Sequence, residues 1–171
     1  KPAIFENDFW YYKEIITTEI SRIDQIDKDS LLIISVPFFE TFKIKENMDA
    51  ILEKCSTLGV PVMLDLIWLP LTEEEIYLNN TDCVEVITHS MTKVLPMSGI
   101  KGGVCLWRNP CQVRHSTYPL GNNLGFYITQ KYFEDFNYFH VRDSLMKLRE
   151  KWCSILGLTR NQFVYSGEIP E

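Results

Sequence analysis

The sequence predicts an α/β protein, a three-layer fold in which a mostly parallel sheet carries helices on both faces. Three observations predict it. Residues 31–36, 60–64 and 83–88 are short apolar, largely β-branched runs of strand length. Residues 46–58, between the first two runs, repeat their apolar side chains at helical spacing. The chain has 171 residues, 46% of them hydrophobic, which is enough for one substantial core. Strands that alternate with helices are the pattern of parallel sheets, whose strands are buried on both sides.

Taken in order, residues 9–26 place Ile15, Ile16, Ile20 and Ile23 at helical spacing, and the polar D-K-D-S at 27–30 ends that segment. A strand at 31–36 follows. Met48, Ile51, Leu52 and Cys55 give the helix at 46–58 its apolar side, and Gly59 closes it. The second strand starts at Val60, which completes a β-α-β unit. Residues 83–88 form a third strand and 103–107 a fourth. Residues 120–140 and 141–156 are helical in pattern, with Gly157 as the stop. The chain contains no internal repeat and no low-complexity segment.

Chemistry concentrates in S-M-T-K-V-L-P-M-S-G-I-K-G-G, residues 90–103. Ser90 and Thr92 supply hydroxyls, while Gly99, Gly102 and Gly103 let backbone N–H groups approach a bound group. Lys101 adds positive charge, so phosphate suits this turn. An ammonium held near another cation is pushed toward its free-amine form, and Lys93 is placed to attack a carbonyl as a Schiff-base lysine. Upstream, Asp65 ends the apolar run V-P-V-M-L at the carboxyl end of a strand, where open α/β sheets bind ligands. Burying that carboxylate costs several kcal/mol unless a cation or several donors meet it. A protonated heterocyclic nitrogen would meet it.

These residues resemble the fold-type I pyridoxal phosphate (PLP)-dependent enzymes, class I/II aminotransferases in particular. The family's lysine signature, S-x-[ST]-K-x-x-x-x-x-G-[IL]-R-x-G, is matched in register by Ser90, Thr92, Lys93, Gly99, Ile100 and Gly103. The resemblance implies PLP as cofactor, with Lys93 as the catalytic Schiff-base residue. It also implies Asp65 on the pyridine nitrogen and Ser90, Thr92 and Lys101 on the phosphate. Trp68 stands where the family has a tyrosine on the ring oxygen, and Phe39, in V-P-F-F-E-T-F, stands where it has an asparagine. Lys101 replaces an arginine and loses its bidentate fork. Implied partners are a small amino substrate and a second copy in a homodimer. The whole chain, residues 1–171, is expected to be a single α/β domain forming an incomplete large domain. Residues 141–171 lead toward a missing small domain, and the opening at Lys1 rather than methionine points to a piece of a longer protein. A cofactor-free relative serving as a binding or assembly module is the alternative that Phe39 and Trp68 raise.

Other features narrow the field. The net charge is −6 and no basic stripe stands out, which argues against nucleic acid as a partner. Asp65 interrupts the best apolar run, so no membrane span of about 18 residues is expected. The five cysteines, Cys55, Cys83, Cys105, Cys111 and Cys153, form no C-x-x-C pair; reduced thiols in a cytoplasmic protein and no metal site are expected. Alone, Lys93 would read as a solvated loop lysine and Asp65 as a strand-end turn residue. Trp68 either touches the cofactor ring or fills core, and Lys101 is either a phosphate ligand or a surface charge. His89 reads as a structural histidine at a strand end; His115 and His140 have no companions that suggest a triad. Phe9, Trp10, Tyr11 and Tyr12 either stack on the ring or pack in the core. Phe126, Tyr127, Tyr132, Phe133, Phe136, Tyr138 and Phe139 read as core or subunit contact. Glu73 to Glu75 read as a solvated helix start.

Overall fold

The computed structural model describes residues 2–5, 18–38, 44–73, 75–91, 93, 103–109, 123–135, 138–161 and 167–168. Its centre is a six-stranded sheet built from β1 (Pro2–Phe5), β2 (Thr18–Ile20), β3 (Leu31–Ser35), β4 (Val62–Asp65), β5 (Val84–Ser90) and β6 (Gly103–Trp107). The strand order is β2-β1-β3-β4-β5-β6. Every neighbouring pair is parallel except β5 and β6, which run antiparallel. The α/β class and the mostly parallel sheet agree with the sequence reading.

The β-branched runs become strands because their side chains are buried by a helix packed across them. Helix α1 (Met48–Leu58) connects β3 to β4 and turns Met48, Ile51, Leu52 and Cys55 inward. These meet Leu32 and Ile34 of β3 and Val62 and Leu64 of β4. Leu32, Ile34, Ile51, Leu52 and Val62 are fully buried. Each such side chain contributes about 1.5–3 kcal/mol through removal from water. Gly59 stops α1 in the left-handed region at φ 67°, where its own N–H bonds the Ser56 carbonyl and the Val60 N–H bonds the Cys55 carbonyl at 2.8 Å. The chain then enters β4 directly.

The carboxyl ends of the parallel strands lie level. Ser35 pairs with Asp65, and Asp65 pairs with Thr88. The Val36 N–H donates to the Asp65 carbonyl at 2.9 Å, and the Leu66 N–H donates to the Thr88 carbonyl at 2.8 Å. The Val36–Pro37 bond is cis. Beyond β4 a short 3₁₀ turn, Leu69–Leu71, lies under the long helix Tyr138–Leu156.

Helices α2 (Asn123–Asp135) and α3 (Tyr138–Leu156) fill the region expected to be helical. The second of them is already helical at Tyr138, earlier than the expected start at Val141. Gly157, at φ 67°, ends α3 as expected. A two-stranded antiparallel pair, β7 (Thr159–Arg160) with β8 (Gly167–Glu168), was not foreseen. Leu71, 1% exposed, packs with Trp68 and with Val141, Leu145 and Met146 of α3.

Two expectations are corrected. The helix at 9–26 is not formed over its described end. Thr18–Ile20 is strand β2, parallel to β1, and Ile23–Gln25 is a 3₁₀ turn. The stretch I-I-T-T-E-I is almost wholly β-branched, and such side chains lose χ1 freedom in a helix and fit a pleated sheet. The acidic run at 73–75 does not start a helix: Glu75 lies outside regular structure, and Glu73 is not freely solvated. Glu73 pairs with Arg149 of α3, whose side chain is 2% exposed and also donates to the Asn161 carbonyl at 2.8 Å. Glu74 lies outside the described residues, as do Phe9, Trp10, Tyr11, Tyr12, Cys111, His115 and Phe136.

Candidate functional site

Three chain segments meet at the level ends of β4 and β5. The first is the end of β4, where Asp65 is 5% exposed. Its Oδ1 accepts the Thr88 hydroxyl at 3.0 Å and the Ile67 N–H at 3.2 Å. Those donors hold a carboxylate that the apolar sequence around it could not. The second segment is the turn after β4, which brings Trp68 to the head of the 3₁₀ turn. The third is the end of β5, from which the chain continues through Ser90 and the buried Met91, 1% exposed, to Lys93. Lys93 Nζ lies 4.5 Å from the centroid of the Trp68 ring. Asp65, Trp68, Ser90 and Lys93 are therefore brought to one end of the sheet from two neighbouring strands. Thr92, Gly99, Ile100, Lys101 and Phe39 lie outside the described residues.

His89 fastens the same corner. Its Nδ1 lies 3.2 Å from the Leu66 carbonyl, and since that oxygen only accepts, Nδ1 carries the proton. Burial lowers the His89 pKa from its ordinary value, against the opposing pull of the bond to Leu66. A neutral ring tied to backbone is a structural group, as its place at a strand end suggested.

Gly103 has a different role from the one the motif implied. It pairs with Ser90 across the antiparallel step, and a Cβ there would run into the His89 carbonyl oxygen. The glycine is required for β6 to lie against β5. Thr88 was missed by sequence reasoning. The signal was available, because Thr88 and Ser90 share parity on β5 and the sheet register sets Thr88 beside Asp65.

Outside this corner, an open apolar groove of about 470 Å³ runs between the 64–78 segment and the β5–β6 face, lined by Leu66, Ile76, Leu78, Ile87 and Leu106 among others. Among the described residues no cluster of three His, Cys, Asp or Glu side chains could hold a metal. None of the described helices is long and apolar enough to cross a membrane. Cys55, Cys83 and Cys153 are free thiols. Burial, with Cys83 nearby, pushes the Cys55 thiol up to about 12, so it is inert as a nucleophile.

No family model matches the chain, and no curated protein matches it. Solved structures do. The PLP-bound C-S lyase from Staphylococcus hominis aligns with a TM-score of 0.69 at 16% identity, over 98% of this chain and 55% of that one. An aspartate aminotransferase from Thermus thermophilus, a single mutant, aligns with a TM-score of 0.67 at 15% identity, over 98% of this chain and 53% of that one. The chain thus spans about half the length of the solved structures it matches. At these identities the likeness concerns the backbone, and it agrees with what the lysine signature and Asp65 indicated. The chain has the fold of the fold-type I PLP-dependent enzymes, over about half of their length.

Proposed function

We propose that the chain is part of the large domain of a PLP-dependent enzyme of aminotransferase type, acting on a small amino substrate. One observation carries the reading: the buried Asp65 carboxylate ends β4 beside the strand that delivers Lys93, in a fold shared with PLP-dependent enzymes. The described residues fit the cofactor. Asp65 is an anion inside an apolar sheet end, suited to a pyridine nitrogen that carries a proton. Lys93 is an amine at the same end, suited to an aldehyde. Ser90, with Thr92 and Lys101 by resemblance, would hold the phosphate, and Trp68 would flank the ring.

When bound, PLP supplies an aldehyde for condensation with amines and a ring that accepts electrons from the substrate's Cα. Lys93 would hold the cofactor and, as a free amine, could take a proton from the substrate Cα. Asp65 would keep a bound pyridine nitrogen protonated, which suits such a ring to accept electrons. Thr88 and the Ile67 N–H hold the Asp65 carboxyl oxygen in place. The homodimer that the resemblance implies and the cytoplasmic setting that the cysteine spacing suggests belong to the same proposal.

The test is incubation with PLP, an absorbance spectrum, borohydride reduction and peptide mass mapping. The expected result is one pyridoxyl adduct, on Lys93, absent from Lys93→Ala. Labelling spread over surface lysines would sink the reading. That outcome would favour the second one, a cofactor-free module of the same fold, which Trp68 in place of the family's tyrosine supports.

A further inference from the structure

Trp68 is where the described part of the site departs from the family pattern, and it is also what the site's lysine touches. The Lys93 ammonium lies 4.5 Å from the centre of the indole, inside the range of about 6 Å within which a cation is attracted to a ring face. The indole is fixed from behind. Trp68 caps the 3₁₀ turn Leu69–Leu71, and its side chain packs with the buried Leu71 and with Val141, Leu145 and Met146 of α3. Lys93 is the mobile member of the pair, a partly exposed residue on a flexible four-carbon stem two positions after the buried Met91.

We propose that Trp68 is a positioning residue for Lys93: the indole face holds the ammonium at the carboxyl end of β4 and away from carbonyl compounds. The attraction acts on the charge, so an amine that loses its proton also loses its hold on the ring. Tryptophan is the aromatic residue best suited to this, and a tyrosine would hold the amine less firmly. Asp65 of β4 accepts from Thr88 and Ile67, His89 of β5 is bonded to Leu66, and Glu73 beyond the turn pairs with Arg149 of α3. Only the identity of the aldehyde that finally takes Lys93 rests on the function proposed above.

The experiment replaces Trp68 site-specifically with monofluoro- and trifluorotryptophan, which drain electron density from the ring at nearly constant volume. Lys93 is then methylated reductively with formaldehyde and cyanoborohydride at neutral pH and followed by peptide mass mapping. The Lys93 rate should rise stepwise with fluorine number, reaching about fivefold for the trifluoro ring, with the remaining lysines unchanged. Trp68→Phe should lie between the native chain and Trp68→Leu. A Lys93 rate indifferent to fluorination overturns the proposal, because a ring that only fills space is insensitive to its electron density. Should the more altered chains fail to fold, the fluorine resonance of the monofluoro ring decides. It should move on Lys93→Met, and a resonance that stays in place overturns the proposal. Formaldehyde carries neither phosphate nor pyridine, so failure here is distinct from failure of the pyridoxyl adduct to form.

Discussion

The paired strands β3 and β4 and the long helix α3 are both rich in apolar residues, yet they use them in opposite ways. In the strands, Leu32, Ile34, Val62 and Leu64 are between 0% and 2% exposed, covered by α1. On α3, Leu148, Trp152, Ile155 and Leu156 are each at least half exposed, while Arg149 and Cys153 are buried. The strand core is built from neighbours in sequence, since a β-α-β unit brings its own cover. The helix is anchored through residues far away in the chain, Glu73 on Arg149 and Leu71 beneath Val141, with Asn161 just past its own end as a second acceptor for Arg149. Hydrophobicity predicts burial where the covering element is local, and it fails where the anchor is polar and distant.

The sharpest way to break this contrast is to cut into each region at its anchor. Leu52→Ala in α1 removes a fully buried side chain from the strand core and should cost about 3 kcal/mol in urea unfolding, with an unchanged denaturant slope. A loss under about 1 kcal/mol would mean that α1 does not close the core. Glu73→Gln strips the buried Arg149 of its carboxylate. Removing one partner of a buried pair costs about 3–5 kcal/mol, and partial exposure of Glu73 reduces the expectation to about 2 kcal/mol. The double variant Glu73→Leu with Arg149→Met should lose less than the two single variants summed, because it leaves no charge behind.

The same contrast explains how much the sequence revealed. Strands β3 to β6, helix α1 and its Gly59 stop were legible because each rests on a short-range pattern: β-branched runs, a 3.6-residue repeat, a glycine at a left-handed position. Asp65 was legible as a charge that its apolar neighbours cannot solvate. The Glu73–Arg149 pair joins residues 76 positions apart, and no local pattern encodes it. Helical spacing at Ile16, Ile20 and Ile23 suggested a helix, but residues 18–20 satisfy strand pairing with β1 instead. Gly103 was correctly singled out for close backbone approach, though what approaches it is β5. The contact of Trp68 with Lys93 could not be read, because the turn after β4 and the chain after β5 are brought together only by the sheet.

A gentler probe uses pH. His89 sits between the two regions, on β5 but tied to the turn that leads toward α3. Burial keeps its folded pKa below the ordinary value of 6.5, so the unfolded chain binds the proton first as the solution is acidified. The His89 contribution is complete above about pH 6.5 and is lost as pH falls toward the folded value. Unfolding free energy should therefore drop on acidification below about pH 6.5. His89→Gln, which retains a donor toward Leu66, should flatten that part of the profile. An identical slope in the variant would assign the acid sensitivity to other groups.

The smallest expected effect carries the comparison's hardest test. Leu156→Gln changes an apolar side chain that is 62% exposed, at the end of α3 just before Gly157. If the exposed side of α3 contributes nothing to the fold of this chain, the substitution stays within about 0.5 kcal/mol, as surface changes do. Leucine and glutamine have similar helix propensity, so the comparison is not confounded by backbone preference. A loss above about 1 kcal/mol would show that this side is covered in solution, and the concentration dependence of the unfolding midpoint would then identify the cover. A midpoint that rises with protein concentration means a second copy, whereas one that does not means a contact within the chain.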